Sequence, residues 1–417
     1  MTESPLADPG RHSHNRSRND YDIVICGAGI AGSALALALA GKGLSIAVIE
    51  ARPLHTPDLP GGYAVADFDA RVSALTPRSV ALLDALGAWS AIVGYRQCAY
   101  RHMTVWDAQG TGQIEFDREE VGVPALGHIV ENRAIVAALL QRVGQCGDIA
   151  IRDGGALAGC QRRDNTMHLE LDNGEQLSAQ LLVGADGALS RVRELMGFEM
   201  REWDYGHRAI VATVRTRDGH EDTAWQRFLP TGPLALLPLP GEGGHLCSIV
   251  WSISEPTADE LLALDDAAFA ARLTRASEAR LGDVLECSPR AAFPLRQRHA
   301  VDYVQAGVAL VGDAAHTIHP LAGQGINLGL ADVAALAGEI NAALPRGVGP
   351  GQLPLLRRYQ RQRKGDNLLM MGAMDGFKRL FEQQALPLRW LRNAGMRQVD
   401  RLAPLKQQLM RHAMGLS

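Results

Sequence analysis

The strongest constraint on this chain is a short apolar strand that runs into three spaced glycines. Asp22-Ile-Val-Ile-Cys26 is followed by Gly27-Ala-Gly29-Ile-Ala-Gly32, a small-residue helix to Ala40, and a second strand, Ser45-Ile-Ala-Val-Ile-Glu50. Each glycine has its own reason in this order. The first permits a tight turn, the second lets backbone approach a diphosphate, and the third lets the helix pack on the strand. The helix N-terminus offers unpaired N–H groups and a positive dipole to phosphates. Glu50, 18 residues beyond Gly32 at the end of the next strand, is placed to accept hydrogen bonds from ribose hydroxyls. The glycines alone do not discriminate between dinucleotides.

The same segment could be mistaken for a membrane span or a signal peptide. Residues 23–41 carry no charge and follow Arg11, Arg16 and Arg18. Three glycines inside the apolar run, with Asp20 and Asp22 just before it, argue for the strand and turn instead. No other stretch is long and apolar enough to be a candidate span. Residues 1–19 are polar and aperiodic and are expected to form a disordered leader.

Two later apolar strands end in glycine-acid turns: Leu181-Leu-Val-Gly-Ala-Asp186-Gly187 and Val308-Ala-Leu-Val-Gly312-Asp313. Such runs between helical segments indicate a parallel sheet covered on both faces. Elsewhere the texture alternates like half-exposed antiparallel strands, at 102–106, 112–116, 210–214 and 247–251. The expected fold class is α/β: a Rossmann-like nucleotide domain (20–97, 128–199 and 299–345) with an inserted antiparallel-sheet domain (98–127 and 200–298). Residues 346–417 should be helical, punctuated by Pro387 and Pro404.

Charge is unevenly spread. Residues 357–417 hold 13 Lys/Arg against 4 Asp/Glu, a net of +9, which leaves −13 for the rest of the 417-residue chain. The overall −4 excludes a uniformly basic nucleic-acid binder, and no stacking aromatics interleave with the tail's charges. Arg389, Arg392, Arg397, Arg401, Lys406 and Arg411 alternate with apolar residues, as in a helix lying on an anionic membrane surface or docking on a partner. A helix packed on the acidic body accounts for the pattern equally well. Six scattered cysteines without a CxxC pair suit a reduced, cytoplasmic protein. His316 and His319 lack a third ligand at useful spacing, so no metal is expected and His316 is read as holding its turn by a hydrogen bond. Nucleophile triads, Walker loops and HExxH motifs are missing.

The later turns are more specific than the first. Asp186-Gly187 before Ser190, and Gly312-Asp313-Ala-Ala-His316 continuing through His319-Pro320-Leu-Ala-Gly323-Gln324-Gly325-Ile326-Asn327-Leu-Gly329 to Asp332, resemble flavoprotein aromatic hydroxylases of the para-hydroxybenzoate hydroxylase-like group. The long block is similar to the ubiquinone-biosynthesis branch, as are Trp225-Gln-Arg-Phe-Leu-Pro-Thr-Gly232, Arg361-Gln-Arg-Lys-Gly-Asp366-Asn367 and the ending Arg411-His-Ala-Met-Gly-Leu416. The resemblance covers about residues 21–416. It implies an FAD-dependent monooxygenase that takes electrons from NADH or NADPH and one oxygen atom from O2 to hydroxylate a polyprenylated phenol or quinol. It also implies contact with other ubiquinone-biosynthesis proteins and with the inner face of a membrane. A homo-oligomer is left open. A non-oxygenating FAD reductase or dehydrogenase of an isoprenoid remains an alternative, as does an FAD-binding assembly subunit.

The resemblance assigns cofactor roles to Gly27, Gly29, Gly32, Glu50, Arg71, Asn132, Asp186, Gly187, Asp313, Gly325, Ile326 and Asn327. Arg133 is a substitute where relatives often place a donor for the diphosphate. Asp313 would bind the ribityl chain, while Pro320, Gly323 and Gly325 would position the reaction site with no side-chain acid or base assigned. The 325 helix would aim its N–H groups at the flavin pyrimidine. An apolar channel for the prenyl tail is expected along Phe228, Leu229, Leu234, Leu236 and Leu237, for which plain core packing is an equal reading.

Overall fold

The computed structural model describes residues 19–317, 325–382 and 386–416, without side chains at 373–375, 377–392 and 397. The expectation of a disordered leader falls on 1–18, outside the described residues. Asn19 belongs to the fold, because its carbonyl accepts from Ser178 N–H and its side chain donates to Gln176 O.

The glycine-rich strand lies at the centre of a sheet. Strands run in the order Val308–Leu310, Gln176–Gly184, Asp20–Cys26, Ile46–Glu50, Ile149–Asp153, each parallel to its neighbour. Ile23 opposes Leu181 on one side and Ile46 on the other. Residues 23–25 are wholly buried, as a strand covered on both faces requires. The uncharged run of 23–41 is therefore a core strand and the buried helix Ile30–Leu39, not a span. Helices Ile30–Leu39, Asn132–Gly144 and Gly325–Ala343 share one core with the sheet. Among the described residues, only the helix beginning at Gly325 is long and apolar enough to cross a membrane. Its Val333, Leu336 and Ile340 are fully buried in that core.

A nine-stranded sheet forms the second unit, built on the long strands Met200–Thr216, Leu246–Ser254 and Ala291–Ala300. One pairing departs from the antiparallel expectation: His102–Asp107 runs parallel to Thr223–Leu229. The chain between these strands passes through the nucleotide unit, a crossover long enough to permit parallel pairing. Three further pairings complete the sheets. Cys98–Tyr100 joins a small sheet with Val72–Leu75 and Gly127–Glu131. The hairpin Leu157–Arg163/Thr166–Leu171 extends the parallel sheet, and His316–Thr317 pairs with the large sheet.

The tail forms helices Leu353–Glu382, Leu386–Arg401 and Ala403–Ala413. Pro387 and Pro404 fall in first turns, where a missing N–H costs nothing. The described part of this segment packs on the body, which reduces the charge available to a membrane. Lys406 is buried between Glu120 (2.8 Å) and Asp400 (3.2 Å). Asn393 accepts from Gly112 N–H and donates to Asp107. Met410 and Met414 pack with Leu126, and Met396 with Phe228.

Candidate functional site

Three parallel strands deliver three turns to one edge of the sheet. Hydrogen bonds Gly27 N–H to Ile49 O, Ala185 N–H to Cys26 O and Val311 N–H to Gly184 O extend the strand ladder into the turns. A Cβ on Gly27 would lie 2.5 Å from Ala185 O, and one on Gly32 would lie 1.9 Å from Gly27 O. These two glycines are dictated by backbone packing. Gly29 differs: a Cβ there meets no atom within 4 Å. Backbone space is thus kept open at the one glycine assigned to diphosphate approach. Gly29 caps the Ile30–Leu39 helix with no side-chain hydrogen bond, so its first N–H groups face outward. Glu50 accepts Ala28 N–H through Oε2 (3.0 Å), fixing the carboxylate beside the turn.

In the second turn, Asp186 Oδ2 accepts Arg191 and Val192 N–H groups (2.7 and 3.1 Å). Its Oδ1 is buried with no partner among the described residues. Gly187 takes the positive φ of +78° that the turn requires. Asp313, at the third turn, keeps solvent access while protein crowds it. That crowding raises its pKa, opposed by the charges of His316 and Arg71. Arg71 is exposed and lies 5.6 Å from the Phe293 ring, facing the large sheet. An open diphosphate approach, two helix N-termini, an orphaned carboxylate oxygen and an accessible Asp313 together fit FAD.

Several candidates are engaged by protein. Asn327 accepts from Thr76 N–H (3.0 Å) and Ser79 Oγ (2.7 Å) and donates to Ala74 O (2.8 Å), tying its helix to the 72–79 segment. Ile326 packs on the core. Asn132 accepts from Ser73 Oγ (2.7 Å). Arg133 donates to Glu131 (2.6 Å) and to Asp67 O, so it is not free to substitute at the diphosphate. Gly325 opens its helix, and a Cβ there meets nothing within 4 Å. Pro320, Gly323, Gln324 and His319 lie outside the described residues.

The apolar candidates divide by strand parity. Leu236 is 1% exposed and Leu234 fully buried, in a core with Phe269 and Leu261 of the helices Glu255–Ala263 and Asp266–Ala276. Leu229 packs on that same core. These three turn away from the nucleotide unit, a correction to the channel expected along them. Leu237 and Ala235 face the other way, against Val65, Phe68 and Ala74. Phe228 shares that second face but is covered by Met396.

Two residues to which the motifs assigned no role organise the site. Arg193 is buried and donates to Ala188 O (2.8 Å) and Ala314 O (3.0 Å), binding the second turn to the third. Its position three residues after Ser190 was the available signal. Asp332 is wholly buried and accepts from Gly312 N–H (3.1 Å), His316 Nε2 (2.5 Å) and Arg363 Nε (2.8 Å). Burial alone would raise its pKa, but His316 and Arg363 outweigh it and hold the carboxyl below its usual range. An acid wholly buried within the apolar helix at 325–343, at the end of the 312–332 motif, was the clue to this hub. Beside it, Tyr303 contacts His299 Nδ1 (3.2 Å), and burial with the charges of His316, Lys364 and Arg201 lowers His299 to about 4. Burial pushes the Cys26 thiol up, as Asp186 also does, which removes it as a nucleophile.

Residues 20–366 match the family described as FAD binding domain. The chain is 40% identical to the Escherichia coli 3-demethoxyubiquinol 3-hydroxylase, covering 95% of this chain and 98% of that one. It is 38% identical to the Rhodospirillum rubrum ubiquinone hydroxylase UbiL (94% and 89% covered). Identity to the human mitochondrial ubiquinone biosynthesis monooxygenase COQ6 is 34% (98% and 96%). In fold it is similar to PqsL of Pseudomonas aeruginosa, a probable FAD-dependent monooxygenase (TM-score 0.74, 22% identity, 91% and 100% covered). It is also similar to p-nitrophenol 4-monooxygenase PnpA of Pseudomonas putida (TM-score 0.74, 18% identity, 94% and 98% covered).

Two outcomes test the site. Gly29→Val should give a folded protein by circular dichroism that has lost its 450 nm flavin absorbance, whereas Gly32→Ala should fail to fold stably. Stoichiometric flavin in the Gly29 variant would refute the assignment of that turn. Separately, an unfolded chain protonates His299 near pH 6.5 while the folded one resists until about 4. Stability should therefore be full above pH 6.5 and fall below it. The His299 contribution between pH 7 and pH 5 is on the order of 2 kcal/mol. Urea titrations at the two pH values should show that difference shrinking in His299→Gln; an undiminished difference would mean that His299 titrates normally.

Proposed function

The chain belongs to the FAD-binding-domain family of flavoprotein hydroxylases that includes the ubiquinone-biosynthesis enzymes, and on that premise we propose that it hydroxylates the ring of a prenylated phenol or quinol, with NAD(P)H as electron donor and O2 as oxygen source. The observation that carries this reading is the convergence of three glycine turns on one sheet edge, with the approach at Gly29 and Asp186 Oδ1 left for a ligand. When bound, FAD supplies the hard chemistry: acceptance of two electrons from the donor and activation of O2 for transfer to the ring.

The chain's own residues bind, orient and exclude water. Gly27, Gly29 and the N-terminus of the first helix would hold the diphosphate, Glu50 the ribose hydroxyls and Asp313 the ribityl chain. Arg71, near Asp313 and over Phe293, contributes positive charge between the two units. Arg193 and Asp332 fix the second and third turns, so the groups around the cofactor need little rearrangement during the reaction. The apolar seam of Val65, Phe68, Ala74, Ala235 and Leu237 keeps water from the ring side.

A peripheral contact with a membrane is part of the proposal, since a prenylated substrate partitions into lipid. Leu402, Leu405 and Leu409 are 42–49% exposed beside exposed Arg401 and Arg411. Apolar side chains with flanking cations suit an anionic surface.

With ¹⁸O2 and a prenylated phenol, the purified protein should incorporate one labelled atom into the product; turnover without oxygen would favour a dehydrogenase. Co-sedimentation with phosphatidylglycerol vesicles should drop at least several-fold in the double variant Leu405→Glu, Leu409→Glu. Unaltered binding would exclude this helix as the contact.

A further inference from the structure

The strand Thr223–Leu229 carries polar side chains on both faces. Trp225 and Leu229 pack towards the helices at 255–276. Arg227 on the same face donates to Ala276 O (2.6 Å) and pairs with Glu278. Alternation turns Ala224, Gln226 and Phe228 to the opposite face. Gln226 pairs across the sheet with Ala235 and lies beside Val105. Ala224, Ala235 and Leu237 belong to the seam with Val65, Phe68 and Ala74. A single carboxamide thus stands in an apolar row facing the nucleotide unit.

Gln226 is only 6% exposed, yet its side-chain amide makes no hydrogen bond to any described residue. Neither Oε1 nor Nε2 is fully enclosed. A nearly buried amide with no partner in the protein calls for an ordered water or a ligand. The seam leads directly to the cofactor site. Ala74, whose side chain lies in the seam, has its carbonyl held by Asn327 in the first turn of the Gly325–Ala343 helix. The opposite face of the strand is clamped by Arg227, by the Trp106–Trp225 edge contact (6.3 Å) and by Arg280 over Trp225 (4.6 Å). The backbone that carries Gln226 is therefore preorganised.

We propose that Gln226 is a substrate-binding residue whose carboxamide hydrogen-bonds the ring hydroxyl of the phenol and sets the ring's orientation on the nucleotide-facing side of the sheet. This rests on the phenol reading above. A carboxamide offers an acceptor and a donor on one planar group, and a phenolic hydroxyl both donates and accepts. The rest of the row supplies only apolar contact, which suits the ring and the start of a prenyl tail. A site built to bond a hydroxyl rejects an analogue that lacks it far more strongly than an apolar pocket does.

The test compares 2-farnesylphenol with its O-methyl ether on the FAD-loaded protein, in wild type and Gln226→Leu. Wild type should bind the phenol about tenfold more tightly than the ether, a difference of ~1.4 kcal/mol. Gln226→Leu should bind both alike, make less product per NAD(P)H consumed, and keep wild-type flavin content and an equal or higher Tm. If the variant still discriminates phenol from ether as wild type does, or loses Tm with discrimination intact, the proposal fails and the phenol reading survives. A wild type that neither binds nor hydroxylates the phenol would sink that reading and this proposal together.

Discussion

Helix Ile30–Leu39 can cross the turn before it only where Gly32 has no side chain, because a Cβ would lie 1.9 Å from the Gly27 carbonyl oxygen. Gly27 in turn lies against the Ala185 carbonyl, and Gly312 against Gly329, where a Cβ on Gly329 would come within 3.3 Å of the Gly312 Cα. The nucleotide edge is thus built by backbone touching backbone at three successive strand ends. Such contacts leave no slack: an added methyl must displace main chain, and cores tolerate overpacking poorly. That closeness is also what brings Glu50, Asp186 and Asp313, distant in sequence, to one edge.

Asp332 serves the third turn in another way. Its oxygens accept a backbone N–H of the turn, a side chain of the turn (His316) and a side chain of the next helix (Arg363). A wholly buried carboxylate is tolerable only when such donors surround it, and removing one leaves an uncompensated charge. The arrangement makes the position of the 312–317 segment depend on the helix Leu353–Glu382. Arg363 also donates to Asn367 Oδ1 (2.8 Å), and the Asn367 amide reaches Tyr303 (3.3 Å), extending the network towards His299. The cofactor edge and the C-terminal helices are consequently one mechanical unit, although they look separate in sequence.

What was legible in the sequence follows from this difference. The glycine turns could be read because Gly27 and Gly32 answer to backbone contact and Gly187 to a positive φ, each of which demands one residue type at one position. Asp332 carried a weaker sign, an acid on the apolar helix that also bears Glu339, and its partners lay 16 and 31 residues away with no periodic relation. The two faces of the Gly232–Pro238 strand could not be told apart from hydrophobicity. Leu234, Leu236 and Leu237 are equally apolar, and only the packing of the helices at 255–276 decides that the first two turn outward and the third inward. Strand direction was hidden likewise, because the parallel entry of His102–Asp107 depends on where the intervening chain travels.

The tail shows how a charge count misleads when partners are far apart in sequence. Of the basic residues after position 357, Arg358 pairs with Glu339, Arg363 with Asp332, and Lys406 with Glu120 and Asp400. These charges hold the tail to an acidic body, and paired, partly buried ions contribute little long-range field at the ionic strength of a cell. The leucines at 402, 405 and 409 have no such internal use, and a row of apolar residues at helical spacing is costly to leave in water. Electrostatics therefore explains why the C-terminal helices stay docked, and the exposed apolar row supplies the reason for any surface they meet.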